Sequence, residues 1–160
     1  MMFSLLTCLM GALFVSAAAQ AGPVPAPGPF AALTTEENAQ LARQTKIDGR
    51  VRIYEKATVR FASELSKLVN QEDFPEVRAR LALWQGLLSG SVSDIVSSVP
   101  RGKRPKAVIK YEIQLRKVIA EMQSLRVTAS VEAFDAFQEW AASAEECRKS
   151  IMAVIFPKYR

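Results

Sequence analysis

Residues 47–70 read IDGRVRIYEKATVRFASELSKLVN. Within this stretch Ile47, Val51, Tyr54, Thr58, Phe61, Leu65 and Leu68 recur at alternating spacings of four and three. That is the a/d stripe of a helix that hides one seam against partner helices. Thr58 is its one polar member. Gly49 interrupts the stripe at about 1 kcal/mol relative to Ala, so the helix begins near Gly49 or bends there. Just upstream, Thr34-Thr35-Glu36-Glu37 has the form of a capping box: the Thr34 hydroxyl and the Glu37 carboxylate can each satisfy an orphan N–H. The first helix is therefore expected between this box and Asn70-Gln71.

The same pattern repeats downstream. Asp73-Phe74-Pro75-Glu76 can open a second helix, with Asp73 as cap, Pro75 in the first turn and Glu76 closing a second box. Val77, Leu81, Trp84 and Leu88 mark its buried face, and Gly90 is placed to end it. Val92, Ile95, Val96 and Val99 then suggest a short separate amphipathic turn before Pro100. Pro105 starts a third helix striped by Val108, Tyr111, Leu115, Val118, Met122 and Leu125, widened by Ile109 and Ile119. A last helix is expected from Ser130 to Ile155, with Phe134, Phe137, Trp140, Ala141, Ala144, Cys147, Ile151 and Val154 on a drifting inner face. Pro157 stops it. Four helices with short connections predict an all-α, up-down-up-down four-helix bundle, with a short extra helical turn between helices 2 and 3. The first and third helices also echo each other at an offset of 57 residues: Val51, Tyr54, Glu55, Glu64 and Leu68 match Val108, Tyr111, Glu112, Glu121 and Leu125. A duplicated hairpin or a shared heptad phase produces such a match.

No Asp, Glu, Lys or Arg occurs before Glu36. Phe3 to Val15 is apolar, and Ala17, Ala19 and Ala21 have the small-residue spacing that a signal peptidase reads. Residues 1–21 are therefore expected to be a signal peptide cut after Ala19 or Ala21, although no Lys or Arg precedes the apolar run. The rival expectation is an uncleaved N-terminal membrane anchor. Residues 22–32, beginning GPVPAPGP, form a Pro/Ala-rich tether, because Pro at this density favours an extended, solvated backbone. Residues 33–157 form the single bundle domain, long enough to bury a core without disulfides.

Composition narrows the chemistry. The 160 residues contain no histidine and two cysteines, Cys8 and Cys147. Haem attachment through Cys-x-x-Cys-His, Glu-x-x-His di-iron sites and Ser–His–Asp or Cys–His catalysis all require histidine. No phosphate loop is present, and the glycines are scattered singly. The sequence thus predicts no catalytic residues, no metal ligands and no cofactor. Glu55 and Glu112 each follow a stripe tyrosine and are the best-placed carboxylate pair. Their simpler role is ion pairing, for example Glu112 with Arg116 one turn on. Tyr54 and Tyr111 read as seam residues with hydroxyls at the bundle surface, and Cys147 as a packed thiol.

The net charge is +5, with 21 Lys and Arg against 16 Asp and Glu. Arg52, Lys56 and Arg60 line one helix face at i, i+4 spacing, and Arg101, Lys103, Arg104, Lys106 and Lys110 crowd the start of the third helix. These eight residues are the candidate anion-binding set. No aromatic residue is interleaved with the basic loop, and export argues against nucleic acid as the partner. The expectation from sequence is a secreted or periplasmic, non-enzymatic bundle that acts through a protein partner, through self-association or as an envelope accessory. The alternative is a basic module docking on anionic lipid or glycan phosphate of the envelope.

Overall fold

Thr34 opens the first helix as its box requires. Its Oγ1 accepts the Glu37 N–H at 3.1 Å, and Glu37 Oε2 accepts the Thr34 N–H at 2.8 Å. The structure, a computed structural model, describes Gly28 and residues 30–157. The expected signal peptide and residues 22–27 and 29 of the tether lie outside the described residues. Five helices follow in order: α1 Thr35–Arg43, α2 Ile47–Asn70, α3 Phe74–Ser98, α4 Lys106–Thr128 and α5 Val131–Ile155. Among the described residues there is no strand, and no helix is long and apolar enough to cross a membrane.

The helical class holds, but the count of four does not. The chain leaves the helix between Arg43 and Ile47, where Gln44 and Lys46 are extended. The run Arg43-Gln44-Thr45-Lys46 has nothing apolar to bury, so folding the chain back is favoured over extending one helix. Gly49 lies just past this corner. A Cβ there would collide with the Gln44 side chain. The resulting arm, residues 30–43, packs chiefly on α2, and its Phe30 and Leu41 border a hollow shared with Ser89, Gly90 and Ser93 of α3. It buries Ala32 and Leu33, stacks the Phe30 ring on Tyr54 at 5.9 Å, and sets Leu41 against the core.

A second correction concerns Gly90, which ends nothing. α3 runs through it to Ser98, and the expected extra turn is simply the end of α3. Gly90 and Ser91 are buried there, flanked by the buried Leu87, Leu88, Val92 and Ile95. That packing outweighs a glycine penalty of about 1 kcal/mol. The second capping box is only half made: Asp73 accepts the Glu76 N–H at 3.3 Å, while the Glu76 carboxylate accepts from Arg80 instead.

The four long helices surround one core. α2 packs on α3 and α4, and α5 also packs on α3 and α4. The pairs α3/α4 and α2/α5 face each other across the centre. Phe61, Trp84 and Trp140 tie α2, α3 and α5 together, with ring centroids 5.7 and 4.4 Å apart. α2 and α4 lie side by side and run in the same direction: Lys110 meets Glu55, and Lys67 and Glu121 share one hollow farther along. The two helices that echo each other in sequence are thus neighbours. Two inner-face assignments change. Val96 and Phe134 are exposed. Phe134 lies under the Arg126 guanidinium at 4.6 Å, while Ala133, Phe137, Trp140, Ala144 and Ile151 form the buried face of α5.

Candidate functional site

The eight predicted basic residues do not form one site. Arg52 and Lys56 from α2 and Lys106 and Lys110 from α4 line a groove of about 720 Å³ between those two helices. Asp48 and Glu55 supply its acidic members, and Val59 and Ala107 its apolar ones. Lys110 Nζ pairs with Glu55 Oε1 at 2.9 Å. Arg52, Lys56 and Lys106 have no carboxylate within salt-bridge reach among the described residues. Four cations against two carboxylates leave the groove net positive. It also opens beside the first turn of α4, which has neither a side-chain cap nor an acidic residue. A helix N-terminus of that kind adds to the positive potential.

Arg60 belongs elsewhere. It sits at the bend of the arm and holds both of its limbs. Nη2 donates to Ala32 O at 3.0 Å and to Glu37 Oε2 at 2.8 Å, and Nε donates to Glu37 Oε1 at 3.3 Å. Nη1 reaches Glu64 at 3.2 Å. Partial burial alone would raise the Glu37 carboxyl, but hydrogen bonds from Arg60 and from the Thr34 N–H, with the Arg60 charge, hold it below the usual range. Arg60 is a clamp whose donors are spent on the protein itself.

The loop residues part company too. Arg101 lines a smaller hollow of about 270 Å³ between the ends of α3 and α5. The Arg104 guanidinium covers the Phe156 ring at 4.6 Å. Gly102, at φ +80°, turns the loop so that its N–H reaches Val154 O at 3.0 Å. Lys103 is exposed. The loop is thereby tied to the end of α5, rather than being a free basic turn.

The paired-carboxylate idea dissolves in the same way. Glu55 points to Lys110 across the α2–α4 groove. Glu112 is only 4% exposed and is held by Arg116 at 3.0 Å and by Arg148 of α5 at 3.0 Å. The two carboxylates serve different interfaces. Among the described residues no group of His, Cys, Asp and Glu has the arrangement of a metal site.

Neither stripe tyrosine brings its hydroxyl to the surface. Tyr111 is fully buried, and its hydroxyl lies 3.0 Å from Ser91 Oγ across the core, beside the buried Thr58. Burial pushes its phenol up to about 12, against the opposing hydrogen bond from Ser91. Tyr54 donates to Asp94 Oδ2 at 2.8 Å. Burial and the Asp94 carboxylate both raise its phenol. Asp94 also accepts Arg50 Nε at 2.8 Å, Arg50 Nη2 at 2.9 Å and Ser98 Oγ at 3.3 Å. Both Asp94 oxygens are therefore committed. This network staples α2 to α3 and leaves no free base. Sequence reasoning missed Asp94 and Arg50, whose only signal was a charged pair beside two apolar stripes. Cys147 is half-buried and unbridged, and burial, then Glu146, raises its thiol.

No family model, no curated protein and no solved structure matches the chain.

Proposed function

We propose that this is an exported, non-enzymatic helical protein that works by contact, and that the α2–α4 groove receives an anionic group of its partner. The observation that carries the reading is the groove itself, where Arg52, Lys56 and Lys106 stand without carboxylate partners in one concave, net-positive site. The polar groups elsewhere are consumed by structure. Asp94, Glu112 and Arg60 each have their hydrogen-bonding capacity filled by neighbours, which supports binding over catalysis. The apolar segment and Ala-x-Ala spacing before residue 22 support export to the periplasm or medium.

Calorimetry with inorganic pyrophosphate tests the groove. Binding at low ionic strength should weaken as salt screens it, and the double variant Lys56→Ser with Lys106→Ser should abolish it. Unchanged binding in that variant refutes the groove. Mass spectrometry of the natively produced protein tests export: the mature chain should begin between Gln20 and Pro23. An intact Met1 in the membrane fraction supports the anchored alternative.

A second reading, a protein partner, is favoured by the α4–α5 turn. Val127 and Val131 are 77% and 90% exposed there, an unusual placement for two β-branched apolar residues at one tip.

A further inference from the structure

Charge is divided unevenly around the bundle. α5 carries Glu132, Asp135, Glu139, Glu145 and Glu146 against Arg148 and Lys149. α4 carries Lys106, Lys110, Arg116, Lys117 and Arg126 against Glu112 and Glu121. The positive side is the outer face of α2 and α4, and it is not purely polar. Val59 is 48% exposed and Ile113 is 41% exposed. Val59 borders the groove with Arg52 and Lys56. Ile113 follows Lys110 by three residues and precedes Lys117 by four, so all three share one exposed strip of α4. Each helix of the pair thus presents an apolar side chain framed by cations.

From this juxtaposition we infer that the α2–α4 face docks on the surface of a bilayer rich in anionic headgroups, with lipid phosphates over the groove and Val59 and Ile113 pressed into the interface. The inference rests on the anion-binding reading of the groove and names the source of the anion. Cations draw the face to the negative surface within a Debye length. The two apolar side chains then add contact that soluble phosphate cannot offer. The acidic α5, at the far side of α4 from α2, is repelled by the same surface, and this fixes the orientation. A soluble phosphate ligand would use the groove cations and leave Val59 and Ile113 unchanged in water.

The experiment is sedimentation of the full chain with phosphatidylcholine vesicles, with and without phosphatidylglycerol. The apolar segment 3–15 is common to every variant, so differences between variants report the face. The wild type should bind phosphatidylglycerol vesicles more strongly, and salt should remove the difference. Lys110→Ser with Lys117→Ser should lower partitioning by roughly fivefold per cation. Val59→Ser with Ile113→Ser should lower it by about tenfold; Ile113→Ser alone, outside the groove lining, should lower it by about threefold while pyrophosphate binding stays at the wild-type level. Circular dichroism confirms that each surface variant is folded. If the double variant and Ile113→Ser both partition as the wild type does while the wild type binds pyrophosphate, the bilayer inference is overturned and the groove reading stands. If wild-type partitioning ignores both phosphatidylglycerol and salt and pyrophosphate does not bind, both readings fall. Salt-sensitive self-association that displaces vesicle binding would place the acidic α5 of a second copy on this face and overturn the bilayer.

Discussion

Replacing Arg60 by alanine should release the arm and leave the bundle intact. The side chain is 26% exposed, so its ion pairs are partly screened and are worth about 0.5–1 kcal/mol each. The pair with Glu64 lies within α2, so the arm is held by the pair with Glu37 and the bond to Ala32 O, at about 1 kcal/mol, together about 1.5–2 kcal/mol. The loss should be local, because α1 packs chiefly on α2 and lies outside the four-helix core. Glu64 keeps Arg80 as a partner at 3.5 Å, so no carboxylate is stranded on α2. Amide exchange in α1 should therefore quicken by about ten- to thirtyfold, since 1.4 kcal/mol is a factor of ten, while amides of α3 and α5 keep their protection. Hydrogen exchange read by mass spectrometry separates these segments. Arg60→Lys keeps the charge without the fork and should rescue only part of the protection. Pyrophosphate binding should not change in either variant. A uniform rise in exchange across the bundle, or a loss of anion binding, would refute the assignment of Arg60 as a clamp.

Four further outcomes follow from the packing. Leu65→Ala and Val118→Ala each empty a buried seam position and should lower unfolding free energy by about 2–4 kcal/mol in denaturant titration; losses below about 0.5 kcal/mol, the size of a surface change, would place the stripe outside the core. Asp94→Ala strands the Tyr54 hydroxyl and the Arg50 guanidinium, so a loss of roughly 2–3 kcal/mol is expected from thermal unfolding. Because the Glu37 carboxyl lies below its ordinary value of 4.5, its support for the arm is complete above that pH and is lost as pH falls through the lowered value; arm resonances in NMR should shift before those of the core on acidification, and Glu37→Gln should remove the effect. Gly49→Ala should raise the unfolding midpoint by a few degrees, because the exposed Gln44 side chain can swing clear of the new methyl; a fall would show that Gln44 is needed where it lies.

Local signals located most of the helix ends. The Thr34–Glu37 box, Asp73 before Pro75 and Pro105 ahead of α4 act through neighbours a few residues away, so they are readable without a fold. The stripes through Val51, Leu65, Leu115 and Val118 named core residues for the same reason: a period of about 3.6 residues marks one face whatever packs against it. The misreadings fell where distant residues decide. Gly90 could end a helix, but burial of Leu87, Leu88 and Val92 carried α3 through it. Arg60 was indistinguishable from Arg52 and Lys56 on the same helix until the arm folded over it.

The sequence by itself determined an all-helical chain, its seam, an absence of histidine chemistry and a surplus of positive charge, because composition and short-range periodicity are properties of the chain. Tertiary structure alone decided which charges are free. Arg60, Glu112 and Asp94 are consumed by partners 23 to 44 residues away, and Arg52, Lys56 and Lys106 are left in a groove because α4 lies parallel beside α2. An ion pair depends on distances of a few ångströms between remote segments, and no local pattern encodes them.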